Sequence, residues 1–71
     1  MTRSINDQLD ALDRLIAEGE KRYAEQVTRI EQLNENGHCA IGARGVLLNI
    51  KTNLAALRTR RARLQTMLTT S

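Results

Sequence analysis

The chain has 71 residues and a net charge of +3, with one Cys, one His, one Tyr and no Pro, Trp or Phe. A chain this short supplies a core worth only about 3–5 kcal/mol, and its single Cys and single His exclude the disulfide framework or intrachain zinc site that staples many small domains. The wealth of Ala, Leu, Arg, Thr, Glu and Gln excludes an all-β domain in practice and predicts long helices, which leaves self-association as the remaining staple.

The first element is predicted over about residues 4–35. Apolar and small residues recur at spacings of four and three as Ile5, Leu9, Leu12, Ile16, Gly19, Tyr23, then Gln26, Ile30 and Leu33. That spacing is a coiled-coil seam of about four heptads. Ser4 with Asp7 three residues later makes a capping box, though Asp is shorter than the usual Glu. Asn36-Gly37 supplies the left-handed residue that ends helices, so the turn is expected over about 36–38.

The second element is predicted over about residues 39–69, with the seam Ala40, Ala43, Leu47, Ile50, Leu54, Leu57, Arg61, Leu64 and Leu68. Gly42 and Gly45 each cost about 1 kcal/mol relative to Ala inside a helix. A start near Val46 after a loop of about ten residues is therefore the alternative. Two helices of about 30 residues, each about 45 Å long, joined by a short turn, make a single αα-hairpin domain spanning residues 1–71.

Antiparallel partners across a short turn have residue numbers of constant sum, here about 73. The register pairs Tyr23 with Ile50, Gly19 with Leu54, Leu12 with Arg61 and Leu9 with Leu64. It also sets Asp13 beside Arg58 and Glu20 beside Lys51, both opposite in sign. Residues 1–36 carry −3 and residues 37–71 carry +6 with no acid at all. An acidic helix along a basic one favours pairing within the hairpin over pairing of like helices.

Six large apolar residues fall outside the seam: Leu15, Val27, Ile41, Val46, Leu48 and Met67. Ala17, Ala24, Ala55 and Ala62 share the flank of Val27, Ile41 and Leu48, while Leu15, Val46 and Met67 share the other. An apolar face this wide suits a helix bundle better than a two-stranded seam. The expected assembly is a homodimeric four-helix bundle with these six at the interface; larger assemblies and a hetero-complex are the alternatives. In architecture the chain resembles the small hairpin dimers of the plasmid Rop type, which bind RNA through helix faces. No motif matches that family residue by residue, so the resemblance implies architecture and no residue's role.

Arg58, Arg60, Arg61 and Arg63 form the one cluster that suggests a charged partner. The helical wheel puts Arg58 on one flank, Arg60 and Arg63 on the other and Arg61 on the seam, so no single stripe docks all four. Bases at the end of helix two, beside acids at the start of helix one, are also what helix dipoles favour. Nucleic-acid binding through Arg58, Arg60 and Arg63 is the rival to a protein partner. His38 and Cys39 adjoin the turn; a metal there needs ligands from other chains, and Cys39 is expected as a reduced thiol. Gln26 and Arg61 interrupt the seam either to set register or, for Arg61, to stretch its head into water beside Leu12.

No nucleophile, base and orienting group can be assembled, so no catalysis, cofactor or small-molecule substrate is expected. No apolar run approaches the ~18 residues that span a bilayer, and no signal peptide is evident. The residues thus predict a cytoplasmic, all-α, self-associating protein-interaction module, with a nucleic-acid-binding regulator as the alternative.

Overall fold

The computed structural model describes residues 4–70 and contains two helices, α1 (Ile5–Glu35) and α2 (Ile41–Thr70), packed as an antiparallel hairpin measuring 55 × 19 × 15 Å. Ser4 caps α1: its Oγ accepts from the Asp7 backbone N–H at 3.1 Å, satisfying one of the donors a helix start leaves unpaired. At the far end Gly37 adopts φ +73°, and the His38 N–H donates to Leu33 O at 2.9 Å while the Gly37 N–H donates to Asn34 O at 3.1 Å. These two bonds are the Schellman arrangement, which closes the last carbonyls of α1.

The second helix begins at Ile41, later than a start at Cys39 and earlier than one at Val46. The Schellman closure occupies residues as far as His38, so the chain needs Cys39 and Ala40 to swing round. The Arg44 N–H then donates to Ala40 O at 2.9 Å. Gly42 and Gly45 lie within α2 and do not break it.

The buried side chains lie on the seam: Leu9, Leu12, Ile16, Ala40, Leu54 and Leu64. The remaining seam positions are half-buried, except Leu68 at 37% exposure. Leu9, Leu12 and Leu64 form one cluster with Ile5 and Leu57 against it, so the core sits in the half of the hairpin away from the turn. Nearer the turn the layers are thinner, and Gln26 contributes a polar tie: its Nε2 donates to Ala43 O at 2.9 Å across the seam. In the middle, a Cβ built on Gly19 would lie 2.6 Å from Leu54 Cδ2. The helices therefore meet closely at the layer that pairs these two residues.

Candidate association surface

Two faces of the hairpin differ in how the seam is closed. On one, Arg61 Nε meets Asp13 Oδ1 at 2.5 Å, and Arg58 Nη2 lies 3.8 Å from Glu20 Oε1. Both pairs cross from α2 to α1 and cover the seam edge. The partners differ from the expected Asp13–Arg58 and Glu20–Lys51 for a geometric reason. Helical side chains lean toward their own N-terminus, so on antiparallel helices two residues lean together only when their numbers sum to more than the seam constant. Arg58 with Glu20 and Arg61 with Asp13 satisfy that condition. The two expected pairs fall below it and lean apart.

The opposite face is open. A groove of about 100 Å³ is lined by Leu15, Gly19, Ile50, Leu54 and Leu57 together with Glu18, Arg22 and Asn53. Toward the free end a second groove runs over Leu12 and Leu64 between Leu15 and Arg60. A third, near the turn, reaches Leu33 and Ala43 beside Val46. Seam residues thus border all three. Leu15, Val46 and Met67, each about half exposed, occupy equivalent heptad positions on this side.

The six residues expected at an interface do not share one surface. Leu15, Val46 and Met67 belong to the open face. Val27 is half-buried on the ion-paired side, at a heptad position next to its own hairpin's seam. Ile41 at 75% and Leu48 at 64% are the most exposed, and they project from the outer side of α2 beyond Arg44 and Lys51. Farther round that helix, Thr59 and Thr66 donate their hydroxyls to the carbonyls of Ala55 and Ala62, four residues back. Those hydroxyls are satisfied without a partner.

Compared with protein-family models, curated proteins and solved structures, the chain matches none of them. The arginine cluster is split as the wheel predicts: Arg58 and Arg61 face acids of α1, whereas Arg60 and Arg63 are exposed and make no ion pair among the described residues. Arg60 borders the open face. His38 is tied by its backbone into the end of α1, and Cys39 is an exposed free thiol. Tyr23 is half-buried on the seam. Among the described residues no three of His, Cys, Asp and Glu gather as metal ligands, and no helix is long and apolar enough to cross a membrane.

Proposed function

We propose that the chain is a small self-associating module for protein interaction, an adaptor, inhibitor or scaffold piece without catalysis, and that its hairpin pairs with a second copy in a homodimeric four-helix bundle. The supporting observation is the balance of burial. Six of the described residues are buried, while Leu15, Ile41, Val46, Leu48 and Met67, all large and apolar, remain about half exposed or more. Burying such a side chain fully contributes about 1.5–3 kcal/mol, a large increment for a domain whose own core is this small. The unpaired cysteine suits a reducing compartment, so the proposed site of action is the cytoplasm.

Light scattering at micromolar concentration tests the reading. It predicts about twice the mass of one chain and a melting temperature that rises with protein concentration, because association stabilises by mass action. A compact folded monomer whose melting temperature ignores concentration would overturn it.

A further inference from the structure

The asymmetry between the two faces carries a more specific conclusion, which rests on the self-association proposed above. We infer that the second copy docks on the open face, the one bearing Leu15, Val46 and Met67, and leaves the face closed by the Arg61–Asp13 and Arg58–Glu20 pairs in water.

Two observations support this face, and a third supports a second copy as its occupant. The first is what each face must give up. A copy packed on the ion-paired side would desolvate Asp13, Glu20 and Arg58, and the loss of hydration around charges commonly exceeds what their mutual attraction returns. The open side presents Leu15, Val46 and Met67 beside grooves that reach Leu12, Gly19, Leu54 and Leu64. Its own charges, Glu18, Arg22, Arg29 and Arg60, line the groove rims, where the long arginine stems keep their heads in water. Docking there extends the existing seam sideways.

The second is charge complementarity. Along the α1 edge of the open face Glu18, Arg22, Glu25 and Arg29 alternate in sign at spacings of four and three. Such an edge is its own complement: laid antiparallel against a second copy about a two-fold between Arg22 and Glu25, it puts Arg22 beside Glu25 of the partner subunit and Glu18 beside Arg29 of the partner subunit. The same two-fold lies between residues 49 and 50 of α2, where it sets Val46 beside Asn53 of the partner subunit and keeps Arg60 away from its own copy.

The third is size. The hairpin outline of 55 × 19 Å offers about 1,000 Å² on a broad face, against about 800 Å² per partner in a typical stable interface. The open face is therefore large enough for a stable pair without using the other.

Two substitutions at side chains already exposed in the single hairpin separate the open face from the flank beside the ion pairs, where Leu48 lies three residues before Lys51. Leu15→Glu, on the open face, is expected to shift the dimer–monomer midpoint in sedimentation equilibrium to at least tenfold higher concentration. Leu48→Glu, on the outer side of α2, is expected to move it less than twofold. If Leu15→Glu unfolds the chain outright, Val46→Asn gives a milder challenge to the same face, with the same direction of shift expected. A dimer unmoved by Leu15→Glu, or one dissociated by Leu48→Glu, overturns the face assignment while leaving self-association standing. A monomeric unsubstituted chain overturns both.

Discussion

At the scale of single residues, the three helical glycines divide by what surrounds them. A methyl added to Gly19 would press within 2.6 Å of Leu54 Cδ2 and 3.1 Å of Leu54 Cγ, and Leu54 is only 4% exposed. Helix propensity gains about 1 kcal/mol from Gly→Ala, whereas overpacking costs about 1–3 kcal/mol. Gly19→Ala is expected to lower the melting temperature by several degrees. Gly45→Ala meets nothing within 4 Å, so propensity acts alone and thermal unfolding should shift upward. The pair uses one chemical change twice and expects opposite signs; a rise for both would mean that the Gly19–Leu54 layer is loose.

Arg61 is decided by a similar comparison. Its ion pair with Asp13 is made by side chains 41% and 51% exposed, where solvent screening holds such pairs to about 1 kcal/mol or less. Replacing it by Leu puts hydrocarbon opposite Leu12, beside the Leu9–Leu12–Leu64 cluster, and leaves Asp13 free to hydrate. Arg61→Leu is therefore expected to raise the denaturation midpoint without changing the mass of the assembly. A change in mass would show that the arginine specifies register. The two polar interruptions of the seam, Gln26 and Arg61, both reach across to the other helix, but one finds a backbone carbonyl and the other a carboxylate. Residue type alone distinguishes neither outcome.

At the scale of elements, the helices were readable because their signals are local and repeated. The four–three spacing marks one face from Ile5 to Leu33, and Ser4 and Gly37 punctuate it with residue types that physical chemistry prefers at those positions. The start of α2 was not readable. Ala40 is a poor N-cap, and Cys39 and Ala40 continue the apolar pattern backward, so nothing in the residues announces Ile41. The closure of α1 is the testable part. Gly37 holds φ +73° with open space around its Cα, so Gly37→Ala adds no clash and isolates the backbone cost of the left-handed region, about 1–2 kcal/mol. A fall in melting temperature of that order is expected from calorimetry, with Gly37→Asn less severe because Asn tolerates that region better. Equal stability of the Ala variant would mean that the turn adopts another form in solution.

At the scale of the whole molecule, the register followed from the sequence through one constant sum, and it places Gly19 against Leu54 as expected. The same sum misassigned the ion pairs because it fixes the level of each Cα and not the lean of the side chain. It also left the association surface open. Heptad positions separate the exposed apolar residues into flanks and bring acids and bases together beside the seam, but only the packed hairpin fixes which of them pair and shows the other flank opening onto the seam.

That division bears on the rival reading of the basic second helix. Arg58 and Arg61 are each set against a carboxylate of α1, so their charge is partly offset before any polyanion arrives. Arg60 and Arg63 remain, and Arg60 borders the face assigned to the second copy. Few phosphates are left to be neutralised at once, and an affinity built on few counterions is small and falls as salt rises. The single Tyr sits half-buried on the seam, which leaves no aromatic platform for unpaired bases. A titration of labelled RNA and duplex DNA is therefore expected to show weak, sequence-blind binding at 0.05 M salt that disappears by about 0.2 M. Arg60→Ala combined with Arg63→Ala should remove most of what is seen. Sub-micromolar binding that selects one nucleic-acid structure and survives the higher salt would instead make the nucleic-acid-binding regulator the better account, with the open face serving the polyanion and the second copy displaced elsewhere.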